Sequence, residues 1–144
     1  MKTFLIKAKK ATYAGNGKKK RIRGGWKELE YKEGGLVYRD RYRGERTFSG
    51  EEVVFKNGKP IWHMSYSGTC KKLLLMKKIY DFLKKALLKI PKDAPFRGPG
   101  LHEEGGFRYE NNWSGDLKGF KGKEEIYYKG KLVYDGEYSG GREK

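Results

Sequence analysis

A chain of 144 residues with one cysteine and a net charge of +16 has room for one modest core and no internal disulfide, which fits a reducing cytoplasm. Only 36% of its residues are hydrophobic but 15% are aromatic, which argues against a disordered chain and for a small aromatic core. The longest wholly apolar run is Leu73–Met76, and the opening MKTFLIKAKK has only four uncharged residues between lysines, so neither a membrane span nor a secretory leader is expected.

A first helix is predicted over roughly Lys2 to Ala11, with Phe4, Leu5 and Ala8 on one side. The stretch GNGKKKRIRGG follows as a basic loop with Lys18, Lys19, Lys20, Arg21 and Arg23 in a row. An extra strand, WKELEYK from Trp26, precedes a turn at Gly34-Gly35 and a strand through Tyr38, Asp40 and Tyr42. Asn57-Gly58 between two alternating runs is a two-residue hairpin signal, because both central residues must accept positive φ. A second helix is predicted from an N-cap at Thr69 to Ile90, stopped by Pro91. Met76, Ile79, Tyr80, Leu83, Leu87 and Ile90 make its apolar stripe, and Lys77, Lys78, Asp81, Lys84 and Lys85 its opposite face. Gly105-Gly106 and Lys129-Gly130 then mark turns between further strands.

The chain repeats itself. Shifted by 72 positions, Phe48–Gly68 lies without a gap on Phe120–Gly140; shifted by 71, Glu33–Gly44 lies on Glu104–Gly115; shifted by 78, FLIKAKKA lies on FLKKALLK from Phe82. Three matches in one order indicate an internal duplication, with repeat 1 over about 1–68 and repeat 2 over about 69–141 of a single domain spanning 1–144. The expected fold is α+β: an antiparallel sheet of two tandem α-β-β-β repeats with pseudo-twofold symmetry and both helices on one side. Edge strands of such a sheet could pair two chains into a homodimer, and nothing in the sequence decides this.

Strand alternation places Tyr38, Asp40 and Tyr42 on one face, matched by Tyr109, Asn111 and Trp113. Glu52 and Glu124 share the side of the core residues Val54 and Ile126. An inward carboxylate needs a partner or a shifted pKa unless it reaches water at a strand end. Asp40, Glu52, Asn111 and Glu124 are therefore the candidate lining of a polar cleft for a small-molecule ligand, with Arg97 supplying the opposite charge.

Net charge is segregated. Residues 1–25 hold nine Lys or Arg and no acid, and residues 71–97 hold nine with only Asp81 and Asp93. The two helix-and-loop arms thus carry the whole excess, which is the footprint of an RNA, DNA or other polyanion contact or, alternatively, of a solvated lysine face. The candidate contacts are Lys18, Lys19, Lys20, Arg21, Arg23, Lys77, Lys78, Lys84 and Lys85.

Specific catalytic signals are weak. GNGKKK lacks the leading glycine and the Ser/Thr of a phosphate loop. Cys70 with one of the two histidines, or HEE at His102, is too little for a nucleophile pair or a metal set. Glu52 and Glu124 could form an acid/base pair, which keeps an enzyme as a third reading. No catalytic residue, metal or cofactor is assigned.

The segments FLIKAKKATYAGNG, YRDRYRG, FSGEEVVFKNGKPIWHMSYSG, PFRGPG and YDGEYSGG resemble an uncharacterised prokaryotic domain-of-unknown-function family, from Phe4 to about Gly141. Members are similar in carrying the doubled F-x-G-x-E and Y-x-G pattern, and some lie behind a helix-turn-helix domain in proteins labelled transcriptional regulators. That resemblance implies a sensing or partner-binding role rather than catalysis.

Overall fold

A computed structural model describes residues 1–12 and 19–143. Helix α1 spans Lys2–Ala11; strands β1 to β5 span Lys20–Arg21, Lys27–Glu33, Leu36–Gly44, Thr47–Lys56 and Lys59–Cys70. Helix α2 spans Met76–Leu87, and strands β6 to β9 span Leu101–Glu104, Phe107–Asp116, Gly119–Tyr128 and Lys131–Arg142. The described residues form an α+β fold, one antiparallel sheet of nine strands in the order β1-β2-β3-β4-β5-β9-β8-β7-β6 with two helices.

Register decides which side chains meet. Tyr38 lies opposite Val54, Asp40 opposite Glu52 and Tyr42 opposite Gly50. Tyr66 faces Tyr138 and Cys70 faces Tyr134 across the central β5–β9 pair, while Tyr109 lies opposite Ile126 and Asn111 opposite Glu124. Directly opposed residues share a face, so these side chains crowd one side of the sheet. Phe4, Leu5 and Ala8 of α1 are buried in a cluster with Tyr38, Trp62, Phe96 and Phe120. Ile79, Phe82, Leu83, Ala86 and Leu87 of α2 are buried in another with Tyr109, Ile126 and Tyr134. Both helices cover the same face, and the other is open.

The β4–β5 hairpin turns at Asn57-Gly58 with φ of 51° and 81°, and the β8–β9 hairpin at Lys129-Gly130 with φ of 49° and 81°. Each carries a register shift just before its turn, at Val54/Phe55 and at Ile126/Tyr127.

Several predicted boundaries are corrected. Thr69 does not cap a helix: β5 runs on to Cys70 because it pairs with β9 as far as Tyr134. Helix α2 starts at Met76, after a 3-10 turn over Leu73–Leu75, and ends at Leu87, short of Ile90. The extra strand expected from Trp26 is present as β2, and a fourth, short strand also follows the second helix, because LHEE pairs with β7 as β6. The basic loop is also partly strand, with Lys20 opposite Glu28 and Arg21 opposite Lys27. Among the described residues, no helix is long and apolar enough to cross a membrane.

Candidate functional site

The covered face holds a buried polar cluster within the aromatic core. Asp40, Glu52, Asn111, Glu124 and Arg97 are all at most 3% exposed, so the two inward glutamates do not escape to water at strand ends. Their strand positions put them there, and each finds a partner. Arg97, on the loop after α2, presents Nε to both Glu124 oxygens at 3.1 and 3.2 Å. Glu124 also accepts from Tyr109 at 2.6 Å. Asn111 donates to the Gly98 carbonyl at 2.8 Å and accepts from Tyr138 at 2.9 Å. Tyr66 donates to Asp40 Oδ1 at 2.5 Å.

Glu52 has a partner that sequence reasoning missed. Lys9 of α1 is wholly buried, with Nζ 3.0 Å from Glu52 Oε1 and donating to the Phe96 carbonyl. A signal existed: Lys9 stands four residues after Leu5 and next to Ala8, on the buried side of the helix. Burial lowers its pKa, and the Glu52 charge works against that.

The cluster thus sets two cations, Lys9 and Arg97, against three carboxyls, Asp40, Glu52 and Glu124. The odd carboxyl is Asp40. Burial first, and then the Glu52 charge, push its pKa up to about 7, while the Tyr66 hydroxyl, Arg97 and Lys9 pull the other way. Burial and Asp40 hold Tyr66 well above its ordinary pKa, so its hydroxyl stays a donor.

The sheet carries several depressions. A shallow cleft of about 840 Å³ lies on the open face over Ser49, Ser65, Ser67 and Ser139, and the charged residues lining it, Lys121, Lys123 and Glu137, are all exposed. A smaller pocket of about 260 Å³ lies on the covered side, between α2 and strands β2 to β4. Its walls are Phe48, Met76, Tyr80, Leu83 and Leu87, and the buried Asp40, Tyr66 and Arg97 form its polar floor. Lys19, Lys27 and Lys84 also line it, with one acid, Glu45. Tyr80 fixes α2 against the β3–β4 turn by donating to the Glu45 and Arg46 carbonyls. The Lys19 and Lys27 ammonium groups sit 5.6 and 5.7 Å from the Tyr42 ring centre.

The structure therefore brings two sets of predicted residues to one place. Asp40 and Arg97 from the expected cleft share a cavity with Lys19 and Lys84 from the expected basic face. Glu52, Asn111 and Glu124 line neither of these two; Glu124 lines a third depression, of about 390 Å³, with Thr47, Ser67, Thr69 and Asp135. Lys20, Arg21, Arg23, Lys77, Lys78 and Lys85 are exposed outside the pocket, with Lys77 paired to Asp81 and Lys85 to Glu104, each at 2.9 Å. Lys18 lies outside the described residues. Phe48, Tyr80 and Lys27 were not singled out from sequence as ligand contacts, and no local pattern marks them.

Cys70 and His63 sit on opposite faces of β5, and the Cys70 thiol is buried, donating to the Lys72 carbonyl at 3.3 Å. Among the described residues no group of three or more His, Cys, Asp or Glu is placed to hold a metal ion.

The described residues thus form an α+β fold with a buried ion cluster beside an apolar pocket that lysines also line. The sequence matches DUF5680, a domain of unknown function, over residues 40–142, and the chain belongs to that family. The match contains Asp40, Glu52, Tyr66, Arg97, Asn111 and Glu124, but not Lys9, Lys19 or Lys27. No curated protein and no solved structure matches the chain.

Proposed function

We propose that the protein is a non-catalytic binding module of two fused helix-and-sheet units, and that it takes a small anionic ligand in the pocket between α2 and the first unit's strands. The shared offsets support the fusion: hairpin turns and register shifts recur 72 positions apart. The buried Phe4, Leu5 and Ala8 of α1 recur as Phe82, Leu83 and Ala86 of α2. The observation that carries the ligand reading is the convergence on one pocket of apolar walls, three lysines and the buried Asp40 and Arg97. Pockets with apolar walls and a few convergent polar groups are the usual form of small-molecule sites. A sensing role in a larger regulator would use such a site.

The test is a fluorescence titration with 8-anilinonaphthalene-1-sulfonate, a small aromatic anion, against the wild type and Met76→Trp, which narrows the pocket. One saturable site per folded chain, weakened about tenfold or more in the variant, is expected. Equal affinity in both proteins, or no binding, contradicts the reading.

A second reading has its own support. Exposed Lys20, Arg21, Arg23, Lys78 and Lys84 offer phosphate contacts on the arms that carry the net charge. Binding to single-stranded RNA or duplex DNA that falls steeply with salt, and weakens on neutralising Lys20, Arg21 and Arg23, is its signature.

A further inference from the structure

We propose that the ligand of the α2 pocket is a guanine nucleotide, with its base edge on Asp40 and its phosphate on Lys19, Lys27 and Lys84. This inference rests on that pocket being the ligand site, and the chemistry of its lining then narrows the ligand.

The floor favours a polar ligand end over an acyl tail. An acyl tail reaching it would lay methylene groups against Asp40, the Tyr66 hydroxyl and Arg97 and offer none of them a hydrogen bond. A ligand that fits this lining offers hydrogen-bonding groups to the floor, apolar surface to the walls and negative charge to the lysines. A nucleotide has all three.

The floor also favours one kind of base edge. A carboxylate only accepts, through two oxygens, and the N1–H and exocyclic amine of guanine present two parallel donors. Asp40 stands near the middle of its titration at neutral pH, so giving up its proton to accept both bonds costs little. Lys9 and Arg97 supply positive charge around it, while Glu52 opposes its ionisation and Tyr66 remains a donor. Tyr42, two residues along β3 from Asp40, is held un-ionised by burial.

The walls suit a flat ring. Phe48 meets Tyr80 edge-on at 5.8 Å and 82°, with the aliphatic Leu83 and Leu87 alongside. Bases are commonly held between aromatic and apolar side chains in this way. A volume of about 260 Å³ lies below the usual span of drug-sized sites, so it encloses a base and leaves the phosphate at the lysines. Lysine binds phosphate as a mobile point charge, which an open rim allows.

A free nucleotide and one unstacked residue of a single strand offer the same chemistry. Exposed Lys20, Arg21 and Arg23, on and beside β1, would carry the phosphates of a strand onward.

Calorimetric titrations of the full chain at low salt and about pH 8, where Asp40 is mostly ionised, test this. GMP should bind at one site and displace the anilinonaphthalene sulfonate. Guanosine and AMP should bind about tenfold or more weakly, and Asp40→Asn and Lys84→Gln should each weaken GMP about tenfold. Lys77→Gln, outside the pocket, should leave GMP affinity unchanged, and circular dichroism should show every variant folded. If the sulfonate dye binds and GMP does not, the nucleotide is wrong while the pocket remains a ligand site. If no anion binds, both fail. If guanosine equals GMP, or Asp40→Asn equals wild type, the assigned contacts are overturned. Among strands, UUGUU binding tighter than both GMP and UUUUU identifies the source as RNA, and binding no tighter than GMP identifies it as the free nucleotide.

Discussion

Lys9 and Glu52 form an ion pair at 3.0 Å with neither side chain reaching solvent. The helix brings the cation and the strand brings the acid, so the pair ties α1 to the sheet at the centre of its core. A buried charge left without its partner is far more costly than the pair is favourable. Lys9→Met should therefore destabilise the fold by about 3–5 kcal/mol in urea unfolding, and Lys9→Met with Glu52→Gln should recover a large part of that loss. A double variant no better than the single one would show that the methionine's shape, not the orphaned charge, is at fault.

Arg97 plays the corresponding part for Glu124 from a loop, and it also stacks its guanidinium 5.0 Å from the Tyr66 ring centre. Arg97→Lys keeps the charge but loses the planar fork and the stacking. It should cost about 1–3 kcal/mol, as for hydrogen bonds to charged groups. It should also loosen the pocket floor, read as weaker dye binding.

The raised pKa of Asp40 gives stability a pH signature. Its carboxyl is protonated in the folded protein up to about pH 7 but ionises in the unfolded chain near its ordinary 3.8. Between these values the folded state binds the extra proton, so the Asp40 contribution is fully present below the lower one and is lost as pH rises through the upper. Asp40→Asn removes that loss. Asn111, which holds the matching place in β7, shows that the fold accommodates an amide there. Relative to wild type, the variant should gain on the order of 2–4 kcal/mol between about pH 4 and pH 8. A difference constant with pH would refute the assignment.

Two glycines make room for the tyrosines of the cluster. A Cβ at Gly50 would stand 2.4 Å from the Tyr66 hydroxyl and 2.7 Å from the Arg41 carbonyl, and one at Gly122 would stand 2.2 Å from the Tyr138 ring. Gly50→Ala and Gly122→Ala should each cost about 1–3 kcal/mol by overpacking. Gly119→Ala, with nothing within 4 Å, should cost far less. Equal losses at all three positions would point to strand flexibility instead.

Much of this architecture was legible because strands alternate and hairpin turns demand positive φ. Tyr38, Asp40 and Glu52 fell on the covered face from parity alone, and Asn57-Gly58 turned where a two-residue hairpin was expected. Helix α1 was legible to its ends, since its apolar side is flanked by charge. The start of α2 was not, because Thr69 is a good cap by type and only its pairing across to β9 keeps it in a strand. β6 was missed because LHEE has no alternation and exists through its partner strand. The inward acids and Arg97 were found, but Lys9 was counted with the surface lysines. A charge run does not distinguish the one member that turns inward. The pocket could not be read at all, since it arises where α2 leans over strands from the other half of the chain.

The most direct measurement is a two-dimensional amide NMR titration of the ¹⁵N-labelled protein with the anilinonaphthalene sulfonate. The expected result is saturable shifts confined to Phe48, Met76, Tyr80, Lys84, Arg97 and their neighbours. Shifts confined to the serine-lined open face, or spread along Lys77, Lys78 and Lys85 on the outer side of α2, would contradict a ligand site in this pocket.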